Sequence, residues 1–142
     1  MNATMEKVRD RQNAHDAEGM AALFSPDYRS EQPAHPRRGF GGHAQVAINW
    51  NQMFRGVPDL RVELVAGTTD GATCWSEWVW RGHYTDGSLF EMRGVTIMGL
   101  TEDGLIAEAR LYMEVVEQDG AAVDETVRQL ARTAEAAPSG KP

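Results

Sequence analysis

The chain reads as an α+β domain in which helices come first and an antiparallel strand meander follows. Two observations predict this. Amphipathic helical spacing marks the residues before Gly56 and one closing segment beyond Gly120, and between them three Asp-Gly pairs, at 70–71, 86–87 and 103–104, each separate runs of β-branched, aromatic and alternating residues. Asp-Gly between such runs is the strongest short hairpin signal.

Each element has its own signal. Met5, Val8, Gln12 and His15 space as one face of a first helix. Asp16 is placed to cap a second helix over Ala17–Phe24, which Pro26 stops. The segment from Asp27 to Gln32 can form a short strand, and Pro33–Gly42 is a loop of residues that cannot continue regular structure. A third helix runs from His43 to Arg55, with Val46, Trp50, Met53 and Phe54 as its apolar stripe and Gly56 and Pro58 ending it. Strands are then expected over 59–68, 73–84, 88–101 and 104–116. Beyond Asp119-Gly120 a closing helical segment puts Val123, Val127, Leu130 and Ala134 on one side. Residues 1–135 are read as a single domain and 136–142 as a flexible tail.

Composition bounds the function classes. With 142 residues, 42% of them apolar, and four Trp, the chain can bury one sizeable core. A net charge of −7 with no basic run argues against nucleic acid or an anionic membrane as partner. The lone Cys74 excludes an intrachain disulfide, and its apolar strand makes it a packed thiol. The N-terminus is polar with no apolar leader, and no run reaches membrane-spanning length, so a cytoplasmic protein is expected. His15, His43 and His83 show no ligand spacing, so no metal is expected. No phosphate-binding loop, nucleophile elbow or dinucleotide fingerprint appears, so no cofactor is expected either.

The most informative stretch is 104–116, where Leu105, Ala107, Ala109, Leu111, Met113 and Val115 alternate with Glu108, Arg110, Tyr112 and Glu114. The second set is either a wet sheet face or the wall of a polar pocket. Treating each Asp-Gly pair as the centre of a two-residue turn sets Ile97 opposite Arg110, Val95 opposite Tyr112 and Arg93 opposite Glu114. The same counting puts Trp80 beside Arg93 and Trp78 beside Val95, with Glu63 and Arg61 next to them. One face is thus expected to carry Trp78, Trp80, Arg93, Val95, Ile97, Arg110, Tyr112 and Glu114. Two tryptophans beside a few polar groups have the make-up of a small-molecule pocket. The opposite face, with Leu60, Val62, Leu64, Val79, Met92, Gly94, Thr96, Met98, Leu111 and Met113, is also apolar, so both faces are expected to be covered. A single β-bulge would flip every later side chain.

The element order, with the motifs Ala14-His-Asp-Ala-Glu-Gly-Met through Pro26-Asp-Tyr28, His35-Pro-Arg-Arg-Gly-Phe-Gly-Gly42, Val57-Pro-Asp-Leu60, Trp78-Val-Trp-Arg-Gly82 and Asp103-Gly-Leu-Ile-Ala-Glu-Ala-Arg-Leu-Tyr-Met-Glu114, resembles the nuclear transport factor 2-like superfamily. Its SnoaL-like polyketide cyclase branch is the most similar. The resemblance implies a cone in which a curved sheet, the four-stranded meander plus one short strand, wraps the three N-terminal helices around a deep cavity. It also implies a homodimer across the outer sheet face. In cyclase-like and epoxide-hydrolase-like members the last strand often reads Arg-x-Tyr-x-Asp, its carboxylate entering the cavity; Arg110, Tyr112 and Glu114 match that spacing with Glu for Asp. The Arg-x-Asp pair of a limonene-epoxide-hydrolase-like site is absent from Trp78-Val-Trp80, which argues against that activity.

Two functions are therefore expected to compete. In the first, a cofactor-independent cyclase or isomerase acts on a hydrophobic, carbonyl-bearing small molecule, polyketide-like or steroid-like. Glu114 is its general base, Arg93 keeps that carboxylate ionised, Tyr112 and Arg110 donate to a substrate oxygen, and His35 supplies an acid at the cavity mouth. Trp78, Trp80, Val95, Trp50 and Phe54 would line the substrate. In the second, the same residues are structural: Arg93 and Glu114 form a cross-strand ion pair, the tryptophans are core, and the domain is a non-catalytic dimeric module that binds a small molecule or a partner.

Overall fold

A computed structural model describes residues 2–134, and the tail expected over 136–142 lies outside them. Helix α1 spans Ala3–Asn13, and its free N–H groups are capped by the Asn2 side chain, which accepts from Thr4 N at 2.8 Å and Met5 N at 3.2 Å. Met5, Val8 and Gln12 form its buried face. His15 lies beyond the helix with a left-handed backbone (φ 54°), its ring stacked on Phe54 at 4.4 Å.

Helix α2 is shorter than the sequence suggested. Asp16 does cap it, accepting from Gly19 N at 2.9 Å, but it ends at Ala21 (Ala17–Ala21). Phe24 instead opens strand β1 (Phe24–Glu31), with Pro26 inside it. Proline cannot donate to a ladder, and the pairing is irregular there, with the register shifting between Phe24 and Arg29. A short 3-10 turn at Pro36–Arg38 and the two-residue strand β2 (Phe40–Gly41) then lead into helix α3 (His43–Gly56).

Four strands follow: β3 (Arg61–Asp70), β4 (Thr73–His83), β5 (Leu89–Leu100) and β6 (Ile106–Val115). They form the expected meander, and the sheet is completed in the order β2-β1-β6-β5-β4-β3. It is a curved, unclosed sheet with α1, α2 and α3 against it. One pairing is not antiparallel: β1 runs parallel to β6. Gly94 sits in the row Trp78, Gly94, Met113 across three strands. A Cβ there would collide with the Tyr112 carbonyl oxygen and stand 2.8 Å from Met113 Cα, so β5 and β6 approach too closely for any side chain.

Helix α4 (Val123–Ala131) closes the described chain, with Val123, Val127 and Leu130 exposed. Cys74 is buried, and that burial pushes its thiol pKa up. No described helix is long and apolar enough to cross a membrane.

The register corrects the expected site face. Between β5 and β6 the expected pairs Arg93 with Glu114, Val95 with Tyr112 and Ile97 with Arg110 all occur. They occur because two departures cancel. The turn is three residues, closed by Gly104 N donating to Thr101 O at 3.0 Å and Thr101 N to Leu105 O at 2.8 Å, with Gly104 at φ 85°. A bulge at Ala107 then restores the count.

Between β4 and β5 the turn is again one residue longer than counted. Tyr84 N donates to Ser88 O and Gly87 N to Tyr84 O, both at 2.9 Å, with Gly87 at φ 86°. No bulge compensates. Trp80 therefore pairs with Met92 and Trp78 with Gly94, while Val79 takes the place beside Arg93. Between β3 and β4 the turn is Gly71-Ala72 and a bulge falls at Val65, so Val62 and Leu64, not Arg61 and Glu63, share the face of the tryptophans.

Candidate functional site: an apolar cavity on the concave face

The corrected register separates two sets that the sequence had joined. On the concave face, Trp78 and Trp80 of β4, Met92, Thr96 and Met98 of β5 and Leu111 of β6 turn toward the helices. From the other side come Val8 and Gln12 of α1, Met20 of α2 and Val46, Asn49, Trp50 and Met53 of α3. Phe24, Tyr28, Ser30 and Gln32 on and just after β1, with Phe40 of β2, complete the wall of a cavity of about 260 Å³. Trp50 meets Trp80 edge-on, ring centres 5.0 Å apart.

The convex face holds Arg93, Tyr112 and Glu114, three of the four residues expected to catalyse. Among the described residues, Arg93, Val95, Arg110, Tyr112, Glu114, His35 and Phe54 are not part of the cavity wall. The expected union of Trp78 and Trp80 with Arg93, Val95, Tyr112 and Glu114 on one face is overturned by the longer turn at Thr85–Gly87. Tyr112 is 42% exposed and the Glu114 side chain 60%. The expected Arg93–Glu114 ion pair is not formed either. Arg93 Nε reaches Glu91 Oε2 at 2.6 Å, and Glu114 Oε1 meets His35 Nε2 at 2.6 Å. His35 rides the loop between two wall residues, Gln32 and Phe40, so this contact ties that loop to the end of β6. Trp50 keeps its expected place in the wall; Phe54 lies behind it, its ring 5.8 Å from Trp50 and stacked on His15.

The chemistry of the cavity follows from its lining. Among the described residues, no Asp, Glu, His, Lys, Arg or Cys contributes to the wall. Its one titratable group is Tyr28, whose phenol is pushed up to about 12 by burial, against a weaker opposing hydrogen bond from Ser30. It stays a neutral phenol at physiological pH. Trp78 Nε1 donates to Thr96 Oγ1 at 2.8 Å, so that buried indole is satisfied within the wall. Trp80 Nε1 and Gln12 Oε1 are buried without a hydrogen-bond partner among the described residues. Leaving such a group unpaired costs about 1–3 kcal/mol.

Sequence reading missed Gln12, Tyr28, Thr96, Met92, Met98 and Leu111 as site residues. A signal existed for Gln12, a polar residue in the apolar stripe of the first helix. The other titratable clusters lie elsewhere: His83 Nδ1 meets Asp59 Oδ2 at 2.7 Å on the surface, and its hydrogen bonds hold the Asp59 carboxyl below its usual value. Among the described residues, no group of three or more His, Cys, Asp or Glu is placed to hold a metal ion.

An unclosed curved sheet cupping helices around an apolar cavity defines the nuclear transport factor 2-like class of fold. Within it, the chain belongs to the family of the SnoaL-like domain, whose model matches residues 5–109. Solved structures agree on the fold. A Mycobacterium tuberculosis protein in complex with estradiol-17β-hemisuccinate is similar at a TM-score of 0.66 and 21% identity, covering 82% of this chain and 92% of that one. A computationally designed 17-OHP binder is similar at 0.66 and 21%, covering 81% and 96%. A candidate SnoaL-like polyketide cyclase from Jannaschia sp. CCS1 is similar at 0.66 and 20%, covering 78% and 83%. No curated protein matches the chain.

Proposed function

We propose that the domain binds an uncharged, apolar small molecule in the concave cavity and does so without carboxylate acid/base chemistry on it. One observation carries this reading: the described wall is mostly aromatic and aliphatic with a few neutral polar side chains, and its single titratable group, Tyr28, keeps its proton up to about pH 12. Removing a proton from carbon near neutral pH needs a base poised near that pH within hydrogen-bond reach of the substrate. The steroid bound by one protein of the same fold, which also carries a hemisuccinate carboxylate, and the 17-OHP of a designed binder support the apolar part of the ligand class.

A second reading has its own observation. The His35–Glu114 contact at 2.6 Å joins an imidazole on the loop between Gln32 and Phe40 to a carboxylate at the end of β6, and such a pair can shuttle a proton for a cyclase or isomerase. The pair is solvent-exposed and outside the wall, which favours the first reading.

Glu114→Gln separates the two. Titrated with an apolar steroid and followed by tryptophan emission, the variant is expected to bind within about twofold of the wild type, an effect of surface size. A turnover that Glu114→Gln abolishes while binding persists would remove the binder reading in favour of the dyad, and loss of binding would place the ligand at Glu114 rather than in the cavity.

A homodimer belongs to the same proposal. The convex face shows Val65, Trp75 and Tyr112, each more than 40% exposed, among charges of both signs, Glu91, Arg93 and Arg110. Such a mixture can complement itself across a two-fold axis. The expectation of a cytoplasmic protein stays with this proposal.

A further inference from the structure

We infer that the cavity selects a neutral ligand bearing a hydroxyl group, which accepts from Trp80 Nε1–H and donates to Gln12 Oε1; this rests on the cavity being the binding site. Gln12 and Trp80 are both at least nine-tenths buried, on α1 and β4. Among the described residues, Gln12 Oε1 and Trp80 Nε1 are the buried side-chain polar atoms left without a partner, and both residues line the same cavity. Packing faults would scatter through the core. One is a donor and the other an acceptor, on a helix and a strand that both line the cavity, and a ligand polar group that reaches them satisfies both.

The chemistry of the pair fixes the class. An indole N–H can only donate, so its ligand atom must accept; Gln12 Oε1 can only accept, so its ligand atom must donate. A hydroxyl is the smallest group that does both. A ketone or ether satisfies Trp80 and leaves Gln12 Oε1, in the orientation described, unpaired. A carboxylate or ammonium would enter a described wall that holds no opposite charge, at a heavy desolvation cost. The wall also offers no competing partner at Trp78, whose N–H is already given to Thr96.

The test uses three rigid probes of nearly one shape: 2-decalol, which accepts and donates, 2-decalone, which only accepts, and 2-methyldecalin, which does neither. Binding is read by calorimetry for the wild type, Gln12→Leu and Trp80→Phe, after circular dichroism shows that each variant is folded. The wild type is expected to bind 2-decalol at least about tenfold more tightly than 2-methyldecalin, since a site with buried polar groups rejects the analogue that leaves them unpaired. Gln12→Leu is expected to erase the preference for 2-decalol over 2-decalone, and Trp80→Phe the preference for 2-decalone over 2-methyldecalin. Equal wild-type affinity for all three probes would overturn the hydroxyl assignment while leaving the cavity a binding site. Preferences unchanged in both variants would overturn the role of these two residues. Binding of none of the three would overturn the binding reading and this inference with it. Should a variant fail to fold, the wild-type series alone decides.

Discussion

Tyr28 shows how one buried side chain sets what the cavity can do. Its phenol is held up to about 12 by burial, whereas in the unfolded chain it titrates near 10. A group whose folded pKa is raised contributes stability that is complete below the unfolded value and lost as pH rises toward the folded one. The protein should therefore lose stability between about pH 10 and 12, by up to about 1.4 kcal/mol per pH step. Tyr28→Phe, which has no proton to lose, should show a shallower alkaline decline. Urea unfolding at pH 9.5 and 11.5 measures both; equal slopes for the two proteins would place an ionised phenol in the native state. Below pH 9 no described wall group is expected to titrate, so ligand affinity should be flat there. Glu114 is the counter-example at the same scale. Its spacing with Arg110 and Tyr112 matched a known catalytic pattern, yet the strand presents Ala109, Leu111 and Met113 inward and Glu114 to solvent.

At the scale of elements, turn length decides which side chains face the concave cavity. The meander, its three hairpins and the apolar stripe of α3 were legible because Asp-Gly pairs and residue periodicity are local signals. Whether a turn holds two residues or three is decided by backbone geometry around one left-handed glycine, and whether a bulge follows is decided by sheet curvature. Neither leaves a local mark that counting can read. At Ala107 the bulge cancelled the longer turn, and the β5–β6 pairs came out as counted; at Thr85–Gly87 nothing cancelled it, and Trp78 and Trp80 moved to the opposite face. Pro26 follows the same logic: it sits inside β1 rather than ending a helix, because an irregular stretch of pairing beside β6 tolerates a residue that cannot donate. The same curvature makes a sharp prediction at Gly94. Gly94→Ala must push β6 away from β5, because the Cβ would meet backbone rather than a movable side chain. A loss of about 3 kcal/mol is expected, at the upper end for overpacking. Denaturant unfolding that places the variant within about 0.5 kcal/mol of wild type, the scatter of neutral surface changes, would mean that the strands do not approach as described.

For the whole molecule, we propose different partners for the two sheet faces: a small molecule on the concave side and a second copy on the convex side. Trp75, 43% exposed on the convex face, probes the second assignment. Trp75→Glu should shift the protein from dimer to monomer in sedimentation equilibrium without loss of ligand binding, and a wild type that is already monomeric would remove the dimer. The central assignment, that ligand enters the concave cavity, is tested most directly by the four tryptophan indole N–H resonances in a 15N–1H NMR titration with 2-decalol. Trp50, Trp78 and Trp80 line the cavity and Trp75 does not. The indole signals of Trp50, Trp78 and Trp80 should move together on one binding curve, with Trp80 moving furthest, while Trp75 and the backbone amide of Glu114 stay fixed. Movement of Trp75 and Glu114 with the other three indoles unmoved would place the ligand on the convex face and contradict the account.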